Sequence, residues 1–304
     1  GINDRFVEQT DGTYKNQELN INEKYNFFNP KAGISYTKDG HKAYASVAYS
    51  HREPERNNFT DNYNYPFPKQ EKLLDVEFGY QYQGSNWHAG ANFYYMGYDN
   101  QLVQTGQESE IGEALTTNVK DSYRMGVELS AGWAPLSWLS FEGNAALSKN
   151  KIKDFDEYVE DWGSNTGTRV NHYDNSTLSF SPSAILNGFV DFHYAGFSAT
   201  WHTNFVSSQY LDNSESKDRS LPCYSQSDLS LNYTSAVKKA LGIKQVTLGL
   251  DFNNVFNRHY APSGFVWYNA INEEGGYTND HRLTALSYIP MAGFTCMAHL
   301  TLKF

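Results

Sequence analysis

The stretch MAGFTCMAHLTLKF (291–304) decides the fold. Phe294, Cys296, Ala298, Leu300, Leu302 and Phe304 fall on one face at a period of two. Thr295, His299, Thr301 and Lys303 fall on the other, with Met297 the one apolar intruder. Successive side chains of a strand point to opposite faces, so this segment reads as a strand with an apolar and a polar side. The pattern repeats upstream. Val246, Leu248, Leu250 and Phe252 alternate with Thr247, Gly249, Asp251 and Asn253, and Phe197, Ala199 and Trp201 alternate with Ser198, Thr200 and His202. Leu139, Phe141, Ala145 and Leu147 form a further apolar row, as do Met125, Val127, Leu129, Ala131 and Trp133, and Leu74, Val76, Phe78, Tyr80 and Tyr82. Weaker versions near 30–37, 43–50, 87–97, 184–194 and 227–233 bring the count to eleven strands. Each clear segment matches the roughly 9–11 residues a tilted strand needs to cross a bilayer.

The connections alternate in length. Short turns sit at Lys38-Asp39-Gly40-His41, Gly84-Ser85-Asn86, Pro135-Leu136-Ser137 and Ala195-Gly196, most with the residue chemistry of tight hairpins. Long polar connections lie near 52–70, 106–113, 154–172, 212–222 and 261–285. Short turns at one end and long loops at the other are the habit of outer-membrane barrels, whereas a soluble sandwich mixes loop lengths at both ends.

Composition then orients the faces. The 304 residues carry 24 Lys+Arg against 34 Asp+Glu, and aromatics reach 16% while charged residues are only 19%. That many aromatics excludes intrinsic disorder, and the acidic balance argues against a nucleic-acid partner. No run of eighteen apolar residues exists and mean hydropathy is −0.63, so no membrane-spanning helix is expected, a test that alternating strands evade. Cys223 and Cys296 are too few for a disulfide scaffold and fit no zinc spacing. No basic-then-apolar leader opens at Gly1, as expected of a mature chain, an internal portion of a longer one, or a soluble protein. The polar faces carry Asp75, Glu77, Glu128, Glu142, Asp191 and Asp251 among Gly, Ser, Asn and Thr, with few of the lysines that guard soluble sheets. Such a face suits a wet lumen. Trp87, Trp133 and Trp138 flank short turns, where an interfacial aromatic belt belongs. The expected fold is therefore all-β, an antiparallel transmembrane β-barrel with its apolar face outward.

On these residues the chain resembles the carboxy-terminal barrel half of a TonB-dependent outer-membrane receptor of the Bacteroidetes type. EKYNFFNPKAGISY (23–36) is similar to the family's strand after a long outer loop, and AYASVAYSHREPERNNFTD (43–61) to the next strand and its exit. NNVFNRHYAPSG (253–264) resembles the penultimate-strand motif, and 291–304 the terminal strand, ending in the aromatic Phe304 that the assembly machinery reads. The resemblance implies a location in the bacterial outer membrane and a barrel of about 22 strands with a plug. Residues 1–304 are then the carboxy-terminal part of that barrel, with no plug domain among them. Implied partners are outer-membrane lipid and lipopolysaccharide, the protein's own plug and amino-terminal barrel half, the TonB energy-coupling protein through the missing plug region, and a small-molecule or metal-chelate ligand. The function implied is active transport of a scarce nutrient: a ferric siderophore first, with haem, cobalamin or an oligosaccharide as alternatives.

Residue chemistry adds candidates. No G-x-S-x-G, H-E-x-x-H, P-loop or G-x-G-x-x-G occurs, so no catalytic residues are expected. Two readings from other classes stand beside the transporter, an outer-membrane barrel enzyme of protease or lipase type and a soluble carbohydrate-binding β-protein. Exposed aromatics and arginines on loops serve binding. On that ground His51, Arg52, Arg56, Tyr63, Tyr65, Trp162, Tyr260, Trp267, Tyr268 and Arg282 are expected to face the ligand. Asp154, Asp156, Glu157, Glu160 and Asp161 crowd hard oxygens into eight residues, a cation site suited to structural Ca²⁺, with no other cofactor expected. Acidic loops of this kind disfavour a strongly anionic ligand. On the luminal face, Arg124 is expected to pair with Glu128 and Asp251 with His299. SAVKKALGIKQ (235–245) reads as a longer turn with a short helix.

Overall fold

The computed structural model describes residues 6–8, 11, 14–16, 21–60, 67–108, 114–161, 168–240, 242–271 and 282–304, with the backbone alone at 6–8, 14–16, 106–108, 114, 160–161, 168, 238–240, 267–271 and 282–284. Strands β1 (Phe6–Glu8) and β2 (Tyr14–Asn16) pair with each other ahead of the main sheet. Then come β3 (Lys31–Lys38), β4 (His41–Arg52), the short helix α1 (Arg56–Thr60) and β5 (Glu71–Gln83). Three long strands follow, β6 (Trp87–Glu108), β7 (Ala114–Leu136) and β8 (Leu139–Asp161). After β9 (Thr168–Thr177), β10 (Ala184–Tyr194) and β11 (Phe197–Val206) lies the small ladder of β12 (Gln209–Tyr210) and β13 (Ser220–Leu221). The chain ends with β14 (Tyr224–Ala240), β15 (Ile243–Asn253), β16 (Ser263–Ile271), β17 (Arg282–Ile289) and β18 (Thr295–Lys303).

Eleven strands form one antiparallel path, β3-β4-β5-β6-β7-β8-β10-β11-β14-β15-β18. They are the eleven that the alternation marks. Among the described residues, β3 and β18 each have one partner in the path, so the barrel wall stands open at both edges. Register carries the apolar rows from strand to strand. Phe78 lies opposite Phe93, Phe93 opposite Val127, and Val127 opposite Leu147. Among the described residues nothing covers the outward face, with Phe78 56% exposed and Leu300 59%. Leaving such area in water forgoes about 25 cal/mol per Å², so the acyl chains of a bilayer are its missing partner. Trp87 and Trp133 face each other across β6 and β7, and Trp138 meets Phe192 edge-on at 5.4 Å, placing the aromatic belt at the short-turn end.

The short turns follow from backbone chirality. Ala195 and Gly196 take φ 50° and 84°, and Asp39 and Gly40 take 49° and 82°, the two positive values that match a hairpin to strand twist. A Cβ on Gly196 would clash with the Thr234 carbonyl oxygen. Gly196→Ala is expected to cost about 1–2 kcal/mol or more, seen as a lower temperature for the gel shift between folded and unfolded barrel. An unchanged temperature would mean that the turn reaches another geometry without cost. Ala195→Asn, better suited to positive φ, should shift it the other way.

Three expectations change. Among the described residues of 235–245 there is no helix: β14 runs to Ala240 and β15 starts at Ile243, with a register shift between Ala236 and Ala240, because ladder pairing satisfies backbone groups that a short helix would leave bare. The connections near 154–172 and 261–285 are largely strand, since β8 and β9 reach well past the membrane and β16 pairs with β17. Polar strands in water lose the one-sided alternation that marks them. Arg124 does not take Glu128; it donates to Ser181 Oγ at 3.0 Å, while Glu128 accepts from Asn92. Asp251 and His299 do pair, at 3.3 Å.

Candidate ligand-binding vestibule

The strands β6, β7 and β8, at 22, 23 and 23 residues, are about twice what a bilayer requires. Their outer halves behave as a soluble module. The lower half of β8 pairs with β10 and its upper half with β9, the chain crossing between them at 178–183. Along β8, Asn150 and Ile152 are buried; then Phe155, Glu157 and Val159 are buried instead. The inward parity flips between 152 and 155, where Lys153 and Asp154 are both exposed and Asn175 of the partner strand takes φ 55°. The flip lets one apolar cluster, Val103, Val119, Ile152, Phe155 and Leu178, draw on both parities of a single strand.

A strap formed by 207–223, between β11 and β14, lies across this module. Leu211 and Leu221 pack with Val266 of β16. Asn213, fully buried, accepts from the Ser179 amide at 2.8 Å and donates to the Gln104 carbonyl at 2.7 Å. Arg219, 3% exposed, bonds Asp212 and lies 3.4 Å from Glu157, which also accepts from Tyr173 and Asn171. Arg219 bridges the two carboxylates and its single charge offsets one of their two, while the Tyr173 hydroxyl and the Asn171 amide donate to Glu157. Glu215 reaches out of the strap to Lys151 and Thr177. Burial there pushes its carboxyl up, but these hydrogen bonds and the lysine charge hold it below the usual range.

Beneath the strap lies a cavity of about 470 Å³ lined by Gln101, Gln104, Leu178, Phe265 and others, and also by Arg124 and Phe180. A second cavity of about 370 Å³ opens toward the lumen past Glu77, Asn92 and Glu128. Arg124 and Phe180 line both, and so form the neck between them. Phe180 takes φ 49°, costly for an aromatic, and is held by its amide's bond to the Tyr210 carbonyl at 2.9 Å. Farther round the wall, Tyr260 stacks on Tyr224 at 4.4 Å and 17°, and its hydroxyl donates to Gln226.

The family model described as "TonB dependent receptor-like, beta-barrel" matches residues 4–255. The chain belongs to the TonB-dependent receptor β-barrel family. Similar solved structures include the ferric-catecholate import receptor Fiu from E. coli K12, at 17% identity and TM-score 0.63, covering 96% of this chain and 37% of that one. The copper transporter OprC is similar at 18% identity and TM-score 0.59, over 89% and 38% of the two chains. The ferric yersiniabactin uptake receptor FyuA from Yersinia pestis is similar at 16% and TM-score 0.57, over 91% and 37%. At these identities the likeness is one of fold. The chain spans under half the length of these receptors. Among curated proteins, none matches it by sequence. The family is one of outer-membrane receptors and transporters, and in the described residues no helix is long and apolar enough to cross a membrane.

Of the residues expected to face the receptor's ligand, Tyr260 has its side chain on the inner wall, and Arg52 shares the inward parity of Ser46 and Ala48. His51 shares the outward parity of Val47 and Tyr49, hydrogen-bonds Asn29 at 2.9 Å and stacks on Phe27. Arg52 is turned to Glu55 and Glu71, at 3.5 and 3.7 Å, and Arg56 is exposed on α1. Tyr63, Tyr65 and Trp162 lie outside the described residues. Trp267, Tyr268 and Arg282 sit on the ladder of β16 and β17, their side chains likewise outside. In the sequence Arg124 reads only as a luminal partner for Glu128, and Phe180 carries no signal of a role. The stretch that carries Phe180, STLSFSPS (176–183), has two apolar residues among serines before Pro182, too short an alternation to mark a strand.

The acidic stretch 154–161 does not converge on one site. Asp154 and Asp156 are exposed and meet His172, the three groups lying within 4.8 Å of one another, whereas Glu157 is buried on Arg219. Strand alternation and the parity flip divide what sequence spacing gathers. The side chains of Glu160 and Asp161 are outside the described residues.

Hydrogen bonding to Asp156, aided by Asp174 and the charge of Asp154, holds the His172 imidazole above its ordinary value. Its charged form supports the hairpin fully below the unfolded value of about 6.5, and that support is lost as pH rises through the raised folded value. Amide protection in the β8–β9 hairpin is expected to fall across this window in the native receptor and to stay level in His172→Gln. An equal fall in both would remove the imidazole from the account.

Proposed function

We propose that the chain is the carboxy-terminal part of the barrel of a TonB-dependent active transporter for a metal chelate, a ferric siderophore first among them. The observation that carries this reading is the vestibule cavity, roofed by a pinned strap and narrowing to the neck at Arg124 and Phe180 above a polar lumen. A path that is open outside and constricted inside suits capture followed by gated release. The iron and siderophore receptors among its structural neighbours point the same way. In this reading the lumen holds the protein's own plug, and the amino-terminal barrel strands close the wall from β3 round to β18. The TonB protein supplies the energy, and lipopolysaccharide surrounds the outer rim. Iron-starved cells carrying the full-length receptor should accumulate labelled ferric chelate, and a protonophore should abolish that uptake. Uptake that persists without the proton gradient would overturn the proposal.

A further inference from the structure

We infer that Arg124 is the anion-recognition residue of the vestibule, and that the cavity above it takes one aromatic ring bearing anionic oxygens. The assignment rests on reading the chain as a receptor wall and names which part of a ligand that wall grips. Arg124 is half-buried, and among the described residues no carboxylate lies within ion-pair distance of it; its side chain donates to the neutral Ser181 hydroxyl. Arg52, Lys151, Lys153 and Arg219 all have carboxylates. A half-buried cation lacking one is poised for an external anion, and a guanidinium presents the planar fork that suits paired oxygens.

The surroundings select a ring. Leu102, Leu178, Phe180, Leu211, Phe265 and Ile289 give the cavity an apolar wall, and its volume of about 470 Å³ holds an arm of a chelate rather than a bulky whole. Phe180 is held at positive φ at the same neck, a backbone conformation that persists only where its surroundings impose it. The acidic loops do not oppose an anion here. Asp154 and Asp156 face outward with His172, and Arg219 offsets one of the two charges of Asp212 and Glu157. Loop composition overstates the negative charge that the cavity meets. Below the neck, Glu77 and Glu128 line the next cavity, so Arg124 is the last favourable stop for an anionic group entering from outside.

The test uses the full-length receptor in detergent and two probes of one shape, salicylate and its neutral counterpart salicylamide, with binding read by calorimetry. The native receptor is expected to bind salicylate about tenfold or more tightly than salicylamide. Arg124→Gln should abolish that preference, and Arg124→Lys should keep part of it. A native ratio near one overturns the assignment whatever the variants do, which covers a failure of Arg124→Gln to fold. So does an Arg124→Gln receptor that folds and keeps the preference. Energy-dependent uptake that survives either result leaves the transport reading intact, and uptake without a proton gradient removes that reading while leaving the binding result standing.

Discussion

Arg219→Met is expected to release the strap at a cost of about 3–5 kcal/mol, because it strands two carboxylates where water cannot reach them. Asp212 is 4% exposed and Glu157 8%, so neither can turn to solvent without undocking the segment. With the ion triad gone, the strap keeps Asn213 between Ser179 and Gln104, and Glu215 on Lys151. The last of these weakens at low pH. Glu215 is held below its usual value, so its contribution is present above the unfolded value and lost as pH falls through the folded one. Hydrogen exchange at Leu211 and Leu221 should quicken in the variant by orders of magnitude, and more at pH 4 than at pH 7. The gel-shift temperature of the membrane wall should hold, since the strap touches none of its lipid-facing rows. Neutralising all three groups together, Arg219→Met with Asp212→Asn and Glu157→Gln, should recover much of the loss. Exchange that stays native in the single variant would show that the triad is not what pins the strap.

Ile152→Ala is the second large effect. Ile152 is fully buried where the parity of β8 changes and packs with Val103, Val119, Phe155 and Leu178. Truncation there removes buried methyl groups and leaves a cavity, at about 2–5 kcal/mol. The loss should be confined to the outer module. Protease cleavage within the β6–β7 and β8–β9 hairpins is expected to accelerate while the wall below remains protected. Cleavage at the native rate would place the anchor of these hairpins in the strap instead of the cluster.

The membrane wall could be read from the sequence because lipid imposes one simple rule on each strand. Residues such as Leu248 and Thr247 declare their faces by polarity alone, and all eleven strands were found that way. Above the bilayer the rule lapses. In the upper half of β8 water lies outside and protein inside, so Asp154 and Glu157 look alike in sequence yet end on opposite sides. Tyr260 lies on the inner wall because an aromatic beside a strand end has Tyr224 to stack on. Arg124 was seen as luminal, but its partner depends on a chain crossing, 178–183, whose return over β7 no local pattern encodes.

The parity flip on β8 also separates two faces. Asp154, Asp156, His172 and Asp174 make up the exposed side of the hairpin, while Phe155, Glu157 and Val159 are buried on the side of the strap. Substitutions that alter the outer face need not reach the inner one.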